Sequence, residues 1–354
     1  MDVFKDVISQ EFHGIHHRDL SSGSLRVIEI LQQAGYEAYL VGGGIRDLLL
    51  GKHPKDFDVA TSAKPAEIQK LFRKSRIIGR RFQIVHVRMG AEIIEVTTFR
   101  GSAENSKLQQ ANASGMLVRD NVFGTVEDDA VRRDFTMNAL YYNPANHEVL
   151  DFVGGYDDLE DGVIRIIGDA ETRYREDPVR MLRAVRFIGK LGLELEEATA
   201  EPIQRLSPLL RDVSPSRLFD EILKLLQAGH GYATFPHLRI HDLLRPLFPQ
   251  THELLEEGDD IHYEALIHLA LRNTDTRLNE GKSVTPAFLY AAMHWPQVHR
   301  RWDELEAEGH GRSQALAIAC SETLDFNQQF IAIPKRFSIT IREIWELQAK
   351  LEKR

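Results

Sequence analysis

The sequence has a single cysteine, Cys320, in 354 residues. One thiol can close neither an internal disulfide framework nor a cysteine-based zinc cluster. Long apolar runs are also missing: none approaches the roughly 18–20 residues that a membrane span needs, so no membrane partner is expected. The opening stretch MDVFKDVISQEFHG is acidic and has no continuous apolar segment, so no secretory leader is expected. These absences point to the cytoplasm. A surplus of positive charge is lacking too. The formal net charge of −9 argues against indiscriminate binding of nucleic acid.

What is present is a folded chain. An apolar fraction of 43% with 27% charged residues is that of a globular protein, and the length calls for two or three domains. The acidic total hides local contrast. Lys64 to Arg88 holds eight Lys or Arg against one acid, Glu67, and Arg173 to Lys190 holds six against Glu176 and Asp177. Each alone reads as a solvated face; together they suggest a local channel for phosphates.

After a polar leader, 1–23, the stretch SLRVIEILQQAG (24–35) has helical spacing with a glycine at its end. EAYLV (37–41) and DFDVAT (56–61) read as strands, with the glycine turn and brief helix of GGGIRDLLLG (42–51) between them. KPAEIQKLFRK is a helix with proline near its start, and QIVHVRM and EIIEVTTF are two strands across a turn at Gly90. The polar stretch 101–114 reads as a loop. Further strands run through ALYYN, VLDFV and VIRIIG. From about residue 170 the periodicity is helical. The expected fold is therefore an α/β head, 24–168, on a mixed sheet, followed by an all-α remainder. A helical neck over 169–246 and a helical body over 247–354 divide that remainder.

Asp56 and Asp58 are the first candidates for chemistry. On a strand, residues two apart project from one face about 6.5–7 Å apart at Cα. Their carboxylates can then share divalent cations, which in two-metal phosphoryl transfer sit about 3.5–4 Å apart. An isolated D-x-D is more often the polar edge of a half-buried strand. Here LVGGGIRDLLLG lies just upstream, where glycines would let backbone N–H groups approach a triphosphate. It lacks the Walker spacing G-x-x-x-x-G-K-[ST]. A third carboxylate is expected from Glu95 or from Asp134, and spacing does not choose between them. In VRRDFTMNAL an arginine could hold a phosphate, while an aspartate and Asn138 could bind a ribose hydroxyl. In RYREDPVRMLRAVRF, Asp177 is expected as N-cap with Pro178 as first helical residue. Arg180, Arg183 and Arg186 then form one stripe. Asp177 and Arg180 could read a base edge, and Arg183 could reach phosphate. HGIHH reads as solvated leader, His53 as a loop residue and Cys320 as core.

GGGIRDLLLG–KDFDVAT, VRRDFTMNAL and EDPVRMLRAVRF, in this order, resemble the class II nucleotidyltransferases. That family comprises tRNA CCA-adding enzymes and bacterial poly(A) polymerases. The likeness runs from about residue 37 to 190, more loosely through SRLFDEILKLL. It implies a polymerase-β-like head, a neck that reads the incoming base, and a body that contacts RNA. By that resemblance Asp56 and Asp58 bind two Mg²⁺ ions, and Arg133 and Asp134 handle the nucleotide's sugar or supply further acidic function. Gly43 and Arg46 contact the triphosphate, Arg133 and Asn138 the nucleotide, and Asp177, Arg180 and Arg183 the base. Arg217 and Glu221 steady the reader.

The run IIGRRFQIVHV, with Arg80, Arg81 and Phe82 as specificity or RNA-binding residues, is similar to poly(A) polymerases. The implied activity is transfer of AMP from ATP to RNA 3′ ends. The sequence stops at AKLEKR, short of the basic tail expected in that branch, which keeps CCA addition with CTP and ATP as the alternative. Protein partners are not legible.

Overall fold

The computed structural model describes residues 5–79, 83–101, 109–111, 117–120, 122–258 and 261–352. Among the described residues twelve strands are formed: β1 (Asp6–Ile8), β2 (Ala38–Val41), β3 (Asp58–Thr61), β4 (Ser75–Ile78), β5 (Ile84–Met89), β6 (Glu92–Thr98), β7 (Gln109–Ala111), β8 (Leu117–Asp120), β9 (Leu140–Asn143), β10 (Glu148–Asp151), β11 (Val163–Ile164) and β12 (Glu194–Leu195). In the first half of the chain the helices are α1 (Gln10–His13), α2 (Ser22–Gln33), α3 (Gly43–Leu49), α4 (Pro65–Leu71), α5 (Val126–Arg132), α6 (Gly155–Glu160) and α7 (Ala170–Glu176). Then come α8 (Val179–Leu191), α9 (Glu197–Leu206), α10 (Pro215–Leu226), α11 (Gly231–Ile240), α12 (Leu244–Leu247), α13 (Pro249–Glu257), α14 (Ile261–Asn279), α15 (Pro286–Ala307), α16 (Arg312–Asn327) and α17 (Lys335–Leu351). Among the described residues no helix is long and apolar enough to cross a membrane.

The chain divides into two compact units. The first holds residues up to Asp177 together with Glu194–Thr199, and the second holds Pro178–Leu193 and Ala200 onward. The first is built on an eight-stranded sheet in the order β1-β10-β9-β2-β3-β6-β5-β4. Every neighbouring pair is antiparallel except β3 and β6. The centre of the sheet is buried on both faces. Tyr39, Val41, Ala60 and Tyr141 pack with Phe99 and with Val126 and Ala130 of α5. Leu40 and Val59 project from the opposite face and are fully buried. Helix α2 packs on β2, β3, β5 and β6. Its Val27, Ile28 and Leu31 are inaccessible, which is the stripe that the helical spacing of 24–35 predicts.

Three local expectations change. The segment 1–23, read as a leader, contributes β1 to the sheet edge. Within it His13 is buried, its Nε2 3.0 Å from the His147 carbonyl and its Nδ1 accepting from Ile15 N at 3.0 Å. A histidine with both ring nitrogens engaged is a strut between the N-terminal segment and the sheet, not a solvated residue. The stretch 101–114, read as a loop, includes β7, which pairs with β8. Asp177 is not an N-cap: it ends α7, and Pro178 occupies the N-cap of α8. Asp177 is extended, as the residue before a proline is pushed to be, and α8 starts at Val179, one position later than expected.

The second unit is helical. Helix α8 buries Val179, Met181, Leu182, Ala184, Val185 and Phe187 and packs on α10 and α11. Cys320 of α16 lies in the core, and burial pushes its thiol up to about 11, so it stays protonated.

Candidate functional site

Antiparallel pairing of β2 with β3 sets Val41 opposite Asp58. The glycine turn that leaves β2 therefore lands beside the first residue of β3. Gly42 has φ 79° and ψ −144°, a conformation open to glycine but not to an L side chain. A Cβ on Gly44 would stand 3.0 Å from the Phe57 ring and 3.1 Å from the Asp56 carbonyl. Glycine at 44 thus lets α3 close onto the aspartate segment.

Asp56 precedes β3 and is exposed, Phe57 is buried, and Asp58 opens the strand half-buried. The alternation expected of 56–61 holds in burial from Asp56 to Val59, but Ala60 and Thr61 are both buried, and the hydrogen-bonded strand begins only at Asp58. β6 runs parallel beside β3 with Val59 opposite Val96. One step earlier, Asp58 and Glu95 lie side by side on the same face. Burial pushes the Asp58 carboxyl up to about 6. The negative charges of Glu95 and Asp56 push the same way, and Arg133 opposes them. Glu95 in turn lies 3.3 Å from Nε2 of His86, its register partner on β5.

Glu95 and Asp56 thus lie close enough to Asp58 to raise the cost of ionising it. Among the described residues no three His, Cys, Asp or Glu side chains form a ligating cluster, so the acids are close without being closed around a point. Their oxygen chemistry fits hard divalent cations such as Mg²⁺.

The other candidates fall into two linked groups. Arg46 is buried, with Nε and Nη2 donating to Asp47 Oδ1 at 2.8 and 2.6 Å and Nη1 to Asn138 Oδ1 at 2.8 Å. Asn138 Nδ2 donates to Asp134 Oδ1 at 3.1 Å, and Phe135 N donates to the same oxygen at 2.8 Å. Asp134 is therefore tied to Asn138, and it is not among the charges that move Asp58. Of the two acids left open by spacing, Glu95 is the one the sheet brings beside Asp58. Gly43 lies over Arg46, whose Nη2 would be 3.3 Å from a Cβ there.

Arg133 belongs to a second group that sequence reasoning missed. Its Nε donates to Asp129 Oδ2 at 3.0 Å and to the Tyr141 hydroxyl at 2.9 Å, and its Nη2 lies 3.0 Å from Asp129 Oδ2. Tyr141 OH donates to Asp129 Oδ2 at 2.7 Å. Desolvation pushes Asp129 upward, but Arg133 and the Tyr141 hydroxyl outweigh it and hold the carboxyl below its ordinary value. The available signal was an acid four residues before an arginine on one helix.

The backbone beneath this group is also held. Arg173 Nη2 donates to the carbonyls of Arg132 and Arg133 at 2.7 and 2.6 Å, and Nη1 to Glu176 at 2.7 Å.

Asp177 ends α7 in the first unit, whereas Arg180 and Arg183 stand half-buried on α8 in the second. The Arg183 and Arg186 guanidinium carbons lie 5.4 and 5.3 Å from the Phe187 ring centroid. On α10, Glu221 is buried and paired with Lys224 at 2.9 Å, and Arg217 sits one turn earlier. Arg80, Arg81 and Phe82 lie outside the described residues.

Known proteins match the chain along its length. Residues 38–165 match the family model "Poly A polymerase head domain". Residues 192–255 match "Probable RNA and SrmB- binding site of polymerase A", and 308–354 match "Polymerase A arginine-rich C-terminus". Poly(A) polymerase I of Escherichia coli O6:H1 is 52% identical over 353 residues, covering 98% of this chain and 76% of that protein. A CCA-adding enzyme of Lactobacillus helveticus is 38% identical over 217 residues, covering 61% of this chain and 53% of that protein. Among solved structures, the CCA-adding enzyme of Bacillus stearothermophilus in complex with CTP is similar with a TM-score of 0.58 and 28% identity. It covers 91% of this chain and 81% of its own.

Proposed function

This chain belongs to the poly(A) polymerase branch of the class II nucleotidyltransferases, and we infer that its glycine turn and three carboxylates carry the transfer of AMP. The enzyme extends RNA 3′ ends without a template, using ATP and releasing pyrophosphate. The observation that carries the site is Asp58 beside the glycine turn at Gly42, with Glu95 next to it across β3 and β6.

In this reading Asp56 and Asp58 hold two divalent cations, with Glu95 rather than Asp134 as third carboxylate. When bound, such ions promote attack by the 3′-hydroxyl on the α-phosphate and offset the charge of the leaving group. The chain's own residues do the rest. Arg133 presents a cation to the triphosphate. Asp134 and Asn138, already bonded to each other, offer an acceptor and a donor to the ribose. Arg46, locked to Asn138 and lying under Gly43, fixes the height of that pair and of the glycine backbone. Asp177, Arg180 and Arg183 read the adenine edge, supported by Arg217 and Glu221, and Arg80, Arg81 and Phe82 contact RNA. The neck 169–246 and body 247–354 are assigned to base reading and RNA contact, and the enzyme to the cytoplasm.

Primer extension with each nucleotide separately, on oligoadenylate and on a tRNA lacking its CCA end, tests the product. Long A-only tails are expected on oligoadenylate. Incorporation of CMP followed by arrest after three additions would reassign the chain to CCA addition.

A further inference from the structure

We propose that Asp129 and Tyr141 are positioning residues that clamp one edge of Arg133 and so aim its other edge at the nucleotide's phosphates. The inference rests on the reading that Arg133 meets the triphosphate. The clamp occupies Nε and Nη2. The remaining nitrogen, Nη1, turns toward the glycine turn: a Cβ on Gly42 would stand 3.8 Å from Arg133 Nη1 and 3.5 Å from Asp58 Oδ2. The guanidinium and the cation-binding carboxylate thus border the same spot on the turn. They do not close on each other, since the ion pair of Arg133 among the described residues is with Asp129.

A second carboxylate in the low-dielectric interior explains why. Asp129 is 3% exposed and Tyr141 is inaccessible, whereas the Arg133 side chain is 21% exposed. The interior end of the cation is neutralised where water is scarce, and only its outer edge remains solvated. Without the clamp, Arg133 would be free to swing onto Asp58, burying the charge that phosphate needs and masking the carboxylate that a cation needs. Tyr141 does two jobs: its oxygen accepts from Nε while its proton goes to Asp129, so the phenol must stay protonated. Burial pushes its ionisation well above the ordinary range. The ring also lies under the cation, with its centroid 5.3 Å from the guanidinium carbon.

The test is Tyr141→Phe, which keeps the ring and deletes only the hydroxyl, with Asp129→Asn as the harsher companion. KM for ATP and kcat are measured with an oligoadenylate primer, binding of ATP and of AMP by calorimetry, and Tm by thermal denaturation. Tyr141→Phe is expected to weaken ATP binding about tenfold, as loss of one hydrogen bond to a charged group would, and to leave AMP binding unchanged. Combined with Arg133→Ala it should add nothing, because there is no longer a guanidinium to aim. A lower Tm with the preference for ATP over AMP intact would reduce the triad to a structural strut and overturn the proposal. If Arg133→Ala itself leaves ATP binding unchanged, the phosphate role of Arg133 fails instead.

Discussion

Asp58 is strained as a carboxylate before any cation arrives. Its folded-state carboxyl ionises near 6, above its ordinary 3.8. Between those values the folded chain binds more protons than the unfolded one, so stability falls as pH rises through that window and stays lower above it. Asp58→Asn is therefore expected to abolish nucleotide addition yet raise stability at pH 7.5 without divalent cation, by on the order of 2 kcal/mol. That gain should vanish below about pH 4. Denaturant midpoints at both pH values check it, and Mg²⁺ should stabilise the wild-type chain but not the variant. In the metal-free chain Asp58 ionises near 6, so the affinity of the wild-type chain for Mg²⁺, measured by calorimetry, should rise as pH passes through that value. Gly44 gives an independent reading of the same corner. Gly44→Ala would place a Cβ 3.0 Å from the Phe57 ring and 3.1 Å from the Asp56 carbonyl. Displacement of Asp56 should cut kcat by about 10²-fold with little change in the circular dichroism spectrum.

At the scale of elements, the site is a product of pairing order. Antiparallel β2 and β3 bring the glycine turn to Asp58, and the one parallel pair of the eight-stranded sheet, β3 with β6, brings Glu95. A hairpin-only sheet would have left that acid elsewhere. The end of α5 has its own support, because its last carbonyls lack partners within the helix and Arg173 of α7 donates to two carbonyls there. Arg173→Ala should loosen the corner that carries Arg133 and Asp134. We expect a loss of about 2 kcal/mol, a Tm lower by about 5 °C and reduced kcat/KM, with Arg173→Lys recovering part of each. Thermal melts and steady-state extension would show it; an unchanged Tm in Arg173→Ala would contradict the bracing role.

For the whole molecule, charge and fold divide the work. A chain of net charge −9 has no overall surplus of positive charge with which to hold RNA, and local basic stretches such as 173–190 are proposed to hold it. Oligoadenylate affinity should then fall by at least about tenfold between roughly 50 and 200 mM salt, as counterion release requires. Fluorescence anisotropy measures it, and a flat response would point away from phosphate contacts. The α/β head, the helical remainder, the D-x-D with its glycine turn and the reaction were all legible in the sequence. They rest on local periodicity, glycine placement and ordered motifs, which neighbouring residues specify by themselves. The placement of Glu95 beside Asp58, the burial of His13, and the grip of Asp129 and Tyr141 on Arg133 came only with the tertiary structure. Each depends on residues brought together from separate segments, by sheet register or by packing against the sheet, and linear spacing encodes neither.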